Sequence, residues 1–203
     1  MTSKPHPISF LRPLLQKAAL GLALLGPVLA APARSEPASK ASLNVSVSVP
    51  TIAANAADVA SVDGLMRAFY AVVNVRPDGQ RLWARDRTLY SPWVRFIGTS
   101  ISASGTPEVV VWDHQQLVDA SEPLVQRGFS ETEIHRSTRS YGNIAHVDST
   151  YEAVLDGPNS PQRFRGVNSI ELYFDGQRWW IASVMWMSEA ASHPIPASLL
   201  PDR

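Results

Sequence analysis

The stretch Arg163-Phe-Arg-Gly-Val-Asn-Ser-Ile-Glu-Leu-Tyr-Phe174, followed by Asp175-Gly176-Gln177 and then Arg178-Trp-Trp-Ile-Ala-Ser-Val-Met-Trp-Met187, decides the fold. Two runs rich in Val, Ile, Tyr, Phe and Trp flank an Asp-Gly pair. Asp-Gly supplies the positive φ values a tight turn requires, so the segment reads as a β-hairpin. The first run alternates. Asn168, Ile170, Leu172 and Phe174 share one face, and Ser169, Glu171 and Tyr173 take the other. Asn168 is therefore a polar amide on an apolar face, where it needs partners. The second run is apolar on both faces, which places it mid-sheet or beneath a covering element. Neighbours on a strand alternate, so one of Trp179 and Trp180 faces away from the core.

Working back toward the N-terminus, 129–139 and 143–155 also alternate and read as a second hairpin, joined at Ser140-Tyr141-Gly142-Asn143. Before them, Asp113 with Gln116 three residues on resembles a capping box for a helix. Pro123 is expected to kink or split that helix, and Gly128 to end it. Trp93 to Ile97 and Val109 to Trp112 read as short strands. Val59, Val62, Met66, Phe69 and Val73 recur at helical spacing and form one amphipathic helix capped by Asn55. A short second helix is expected over Gln80 to Leu89, ending at Ser91-Pro92. The sum is a single α+β domain over residues 57–189. Residues 34–56 read as a flexible linker with a loose edge strand, and 190–203 as an irregular, proline-broken tail.

The N-terminus reads as a secretory signal. Lys4, Arg12 and Lys17 precede the apolar run from Ala18 to Ala31, which is too short to span a bilayer. Cleavage is expected after Ala30 or Ala33, so residues 1–33 are a signal peptide and the mature chain is periplasmic or secreted, without stable membrane insertion. Removing those three bases from the 18 in the chain leaves 15 against 18 acids. A mildly acidic chain with scattered arginines has no clustered patch for nucleic acid. The chain has no cysteine, which excludes disulfides, thiolate nucleophiles and Cys-ligated metals. There is no P-loop, dinucleotide fingerprint, Gly-x-Ser-x-Gly or His-Glu-x-x-His, and no metal or cofactor is expected.

Three segments carry a resemblance: Phe69-Tyr-Ala-Val-Val-Asn74, Tyr141-Gly-Asn-Ile-Ala-His-Val-Asp-Ser-Thr-Tyr-Glu152, and Arg165 to Ile181. With the order of elements, they resemble the nuclear transport factor 2-like superfamily, the cone-shaped fold of ketosteroid isomerase, scytalone dehydratase and polyketide-cyclase-like proteins, and within it an exported bacterial branch. The resemblance implies a strongly curved, mixed or antiparallel sheet wrapped around about three helices, with a ligand in the mouth of the cone. It implies no particular chemistry, because such folds host many. No catalytic residue transfers by motif.

Register arithmetic supplies the candidate residues. A two-residue turn at Tyr141-Gly142 sets His135 opposite Asp148, Glu133 opposite Thr150 and Glu131 opposite Glu152, with His146 on the same face. A His oriented by a carboxylate is a possible general base, although that face also reads as the solvated one. Pairing Tyr151 with Asn168 keeps the apolar sets of the next two strands together and puts a phenol beside an amide inside the cone. Tyr70, Trp83 and Trp186 are candidates to line the same pocket. As aromatics at helix and strand spacing they are more often core residues. His114, in the first turn of a helix, reads as surface. The leading expectation is a binder of a small, largely apolar molecule. The alternatives are a lyase or isomerase using Tyr151 and Asn168 or the His135–Asp148 pair, and an interaction module that forms a homodimer through the outer face of the sheet.

Overall fold

The computed structural model describes residues 46–77, 79–102, 104–156 and 161–202. The segment expected to be a signal peptide and the first part of the expected linker lie outside the described residues. The elements in chain order are α1 (Ala56–Val59), α2 (Val62–Val73), α3 (Trp83–Arg87), β1 (Tyr90–Ile101), β2 (Pro107–Trp112), α4 (His114–Arg127), β3 (Phe129–Tyr141), β4 (Ile144–Leu155), β5 (Gln162–Phe174) and β6 (Trp179–Ser188).

The strands form one six-stranded mixed sheet in the order β2-β1-β6-β5-β4-β3. Only the β1–β6 pair is parallel. One face packs on the helices. Leu65, Met66, Phe69, Tyr70, Val72 and Val73 of α2 meet Ala145, Val147, Tyr151, Ile170, Leu172, Ile181 and Val184 from the strands. This is the α+β architecture that the resemblance implies, a mixed sheet wrapped around helices.

The β5–β6 hairpin forms at Asp175-Gly176, through a four-residue loop. Gly176 takes φ 98°, where a side chain is strained. Asp175 Oδ1 accepts from the backbone N–H groups of Gln177 and Arg178, both at 2.8 Å, and so makes the turn its own hydrogen-bond hub. In β6, Leu172 pairs with Ile181 and Glu171 with Ser183, leaving Ala182 as an extra residue. This bulge switches the inward parity. Trp179 and Ile181 face the core before it, and Val184 and Trp186 after it. Trp180 is the tryptophan turned away, with its Nε1–H donating to Asp175 Oδ2 and Arg178 lying 3.6 Å over its ring.

Several local expectations are corrected. The N-terminal helix is two helices, because Ser61 adopts extended geometry and its hydroxyl accepts from Gly64 N, starting α2 afresh. A Cβ on Gly64 would lie 2.5 Å from Ala57 O, so glycine permits the close approach of α1 and α2. α3 is only five residues long, and Ser91-Pro92 belong to β1. Pro92 falls where β1 slips out of register with β6, a position needing no ladder donor. α4 has the full Asp113–Gln116 capping box and stops at Gly128, but it runs through Pro123 unbroken. Buried Val118 and Val125 on either side of the proline hold the helix to a small second cluster with Val49, Val75 and Trp83. Residues 46–50 form no strand. Asp119 accepts from Val47 N and from the Ser46 hydroxyl, and these contacts fix the segment along α4. At the other end, the tail folds back, with Glu189 paired to Arg165 and Thr150 donating to Leu199 O.

Candidate functional site

The site begins with a register. The β3–β4 turn is Gly142-Asn143, so Tyr141 pairs with Ile144 and Ser137 with Asp148. His135 pairs with Thr150 instead. The expected His135–Asp148 pair is therefore not formed. Asp148 is bonded to His146 Nε2 at 3.0 Å, while Glu171 takes His146 Nδ1 at 2.7 Å. Burial lowers the pKa of the His146 ring, but the hydrogen bonds to Glu171 and Asp148 outweigh it and the net shift is upward.

A second irregularity lies between Glu133 and His135. One extra residue flips the parity of the strand below it. Glu131 and Glu133 thereby pair with Ala153 and Tyr151 and turn to the helix side of the sheet, not to the solvated face expected for them. Nothing in the alternation of β3 signals this bulge, so the sequence reading missed both acids as interior groups.

The β4–β5 register differs from the expected one by two residues. Apolar partners stay with apolar partners, but Ser149 stands opposite Asn168 and Tyr151 opposite Gly166. A Cβ on Gly166 would collide with the Tyr151 hydroxyl, so glycine at 166 makes room for the ring.

These registers assemble a buried polar chain. Arg136 forks onto Glu133 through Nε at 2.9 Å and reaches Asp63 through Nη1 at 2.8 Å. Ser149 donates to Glu133, and the Tyr70 hydroxyl lies 2.6 Å from Ser149 Oγ. Because the Ser149 proton is committed to Glu133, Tyr70 is the donor of that pair. Asn168 Nδ2 then donates to Tyr70 Oη and to Glu131 Oε1, both at 3.3 Å. Asn74 anchors the far end, accepting from Glu131 N at 2.6 Å and donating to Tyr70 O.

The two acids differ. Glu133 is neutralised by Arg136. Glu131 receives one amide hydrogen and sits among aromatic rings. Burial pushes its carboxyl up to about 7, against smaller opposing effects of Asn168 and the Arg81 charge. Burial also raises Tyr70 and Tyr151, so both phenols stay protonated at neutral pH.

Glu131 and Asn168 face a cavity of about 170 Å³. Phe69, Phe96, Trp112, Phe164 and Trp186 supply its apolar walls, and Tyr90, Tyr151, Arg81, Ser121 and Ser188 its other polar groups. Trp112 and Trp186 stack at 6.0 Å. Of the residues singled out in the sequence, Tyr151, Asn168 and Trp186 line this cavity. Tyr70 lies one hydrogen bond behind it. Trp83 sits in the second cluster, under the Arg81 guanidinium at 4.1 Å. His114 is not a surface residue: its side chain is 11% exposed and Nε2 donates to the fully buried Asp86 at 2.7 Å. Wider clefts of about 530 and 550 Å³ flank α3, but neither includes Glu131 or Asn168. Among the described residues, no group of His, Asp and Glu side chains is arranged to hold a metal ion, and no helix is long and apolar enough to cross a membrane.

No family model and no curated protein matches this chain. Solved structures similar to it include an uncharacterized protein with a cystatin-like fold from Caulobacter vibrioides, with 11% identity and a TM-score of 0.49 over 66% of this chain and 90% of that one. An NTF-2-like protein of unknown function from Silicibacter pomeroyi has 13% identity and a TM-score of 0.44, over 64% and 94%. The beta subunit of the benzoate 1,2-dioxygenase from Burkholderia mallei has 14% identity and a TM-score of 0.43, over 58% and 84%. At these values the likeness extends neither to chemistry nor to partners.

Proposed function

We propose that the chain is an exported protein that binds a small, largely apolar molecule in the cavity between α2, α4 and the sheet. The observation that carries this reading is Glu131, a carboxyl pushed up to about 7 in a cavity walled by Phe69, Phe96, Trp112, Phe164 and Trp186. Keeping an acid in such surroundings costs stability, and Asn74 and Asn168 hold it there by hydrogen bonds. Apolar walls with a few convergent polar groups are the usual composition of a small-molecule site. A void of about 150 Å³ accommodates benzene, so this one suits a single ring.

The same acid favours a second reading, a lyase or isomerase. A carboxyl that titrates near neutrality is matched to moving protons at physiological pH. In that role Glu131 takes a proton from carbon beside a carbonyl. Asn168, which spends both amide hydrogens on Tyr70 and Glu131, fixes the orientation of the acid. Tyr90 and Tyr151 both line the cavity, stay protonated, and are the phenols that would donate toward a substrate oxygen.

The outer face of the sheet suits a homodimer. Trp93, Val109, Val111 and Met185 are 57%, 64%, 56% and 43% exposed on adjacent strands, and Trp93 stacks on Tyr173. Exposed apolar side chains on one sheet face support that reading.

The binding reading is tested by titrating the full chain with cyclohexanone while following the tryptophan indole N–H resonances. The expected result is saturable shifts at Trp112 and Trp186 that disappear in Ala120→Phe, which fills the cavity from α4. Shifts spread over all six tryptophans, or none at millimolar ligand, overturn it.

A further inference from the structure

The cavity has a second polar end that the preceding reading leaves unused. Arg81 lines the same cavity as Glu131 and Asn168. Its side chain is only 9% exposed. The guanidinium carbon lies 4.1 Å over the Trp83 ring, and Nη2 donates to Asp86 Oδ1 at 3.1 Å. Its Nε is buried and has no hydrogen-bond partner. A buried donor left unpaired is costly and calls for an explanation.

Asp86 pairs with this cation through one oxygen and leaves Nε unpaired. Its other oxygen is committed to His114, at 2.7 Å. Arg87 reaches the same ring, with Nε 3.5 Å from His114 Nδ1, and donates to Val49 O and Gln115. The fully buried Asp86 carboxylate is thus shared between the Arg81 guanidinium and the His114 ring. Among the described residues the carboxyl that lines the cavity is that of Glu131, which accepts from Asn168 and receives no hydrogen bond from Arg81.

We infer that the molecule taken by this cavity is a one-ring carboxylate, whose ring lies among Phe96, Trp112, Phe164 and Trp186 and whose carboxylate pairs with the guanidinium of Arg81. A guanidinium prefers carboxylate to a neutral oxygen because its planar donors match two acceptor oxygens and the pair is charge-assisted. Among apolar walls, where the effective dielectric is low, that preference is larger than at a surface. The cavity volume of about 170 Å³ limits the remainder to about one ring. This rests on the reading of the cavity as a ligand site, and adds the chemical class of the ligand.

The experiment compares two molecules of nearly equal shape, cyclohexanecarboxylate and cyclohexanecarboxamide, by calorimetric titration of the full chain at pH 6. At that pH Glu131 is largely protonated and does not repel the anion, whereas the ligand is ionised. The expected result is a Kd at least tenfold lower for the carboxylate, with Arg81→Gln bringing the two ligands within about twofold of each other. Equal affinities in the parent chain overturn the assignment of a carboxylate and leave the ligand site standing. No detectable binding of either molecule overturns the ligand site as well. The parent comparison alone decides the matter if Arg81→Gln fails to fold. Arg81→Lys, which keeps the charge and loses the planar fork, is expected to retain part of the preference.

Discussion

Asn168 Nδ2 stands 3.3 Å from Glu131 Oε1, joining β5 to β3 across β4 on the helix side of the sheet. An amide that donates to a carboxylate stabilises the charged form, so Asn168 holds the Glu131 pKa lower than burial alone would set it. Asn168→Leu is expected to move the Glu131 midpoint above about 7 and to cost about 1–3 kcal/mol of stability. Carboxyl 13C titration and urea unfolding check the two parts. An unchanged midpoint separates the residues.

Glu131 also links stability to pH. Its carboxyl ionises near its ordinary value when the chain is unfolded, but only near 7 when folded. The unfolded chain therefore releases this proton first. The stability that Glu131 contributes is greatest below about 4.5, falls as pH rises from there to about 7, and is flat above. At full burial the loss is about 3 kcal/mol. The cavity-facing surface of Glu131 reduces it. Glu131→Gln is expected to abolish this slope and to be more stable than the parent at pH 8. Parallel urea curves at pH 4.5 and 8 test it.

His146 acts in the opposite sense. Its folded pKa is raised through Glu171 and Asp148. The stability it contributes is complete below its unfolded pKa and is lost as pH rises through the folded value. His146→Gln is expected to be less stable than the parent at pH 5.5 and to approach it at pH 9, where the parent ring is neutral. A constant difference across that range contradicts the ion-pair account.

Gly166→Ala is expected to destabilise the chain by about 1–3 kcal/mol, since the added methyl meets the Tyr151 ring and lies 2.7 Å from Met187 O. Equilibrium unfolding gives the value. A neutral substitution there shows that Tyr151 has another place to go.

Export is checked by sequencing the N-terminus of the protein recovered outside the cytoplasm. The expected first residue is Ala31 or Arg34. A chain beginning at Met1 contradicts the signal-peptide reading.

The frame of the fold was legible because hydrophobic alternation and turn chemistry are local. Asp175-Gly176, the Asp113–Gln116 box and the helical spacing of α2 all announce themselves within a few residues. Asn168 was legible for the same reason, as a polar residue on the apolar face of an alternating run. What was not legible depends on single inserted residues. The bulges near Ala182 and between Glu133 and His135 each reverse which side chains face inward, and alternation is blind to them. Hence Trp179 and Trp180 stayed undecided, and Glu131 read as solvated. The β4–β5 register missed by two because a shift of two leaves every apolar partner apolar. Arg81 and His114 were missed because their burial comes from α3, α4 and residues 46–50 meeting far apart in sequence.

The most direct measurement is a carboxyl 13C titration of Glu131 in the parent chain, alone and with cyclohexanone. The account predicts a midpoint near 7 that moves when the ligand occupies the cavity. A midpoint between about 4 and 5, unmoved by ligand, would contradict it.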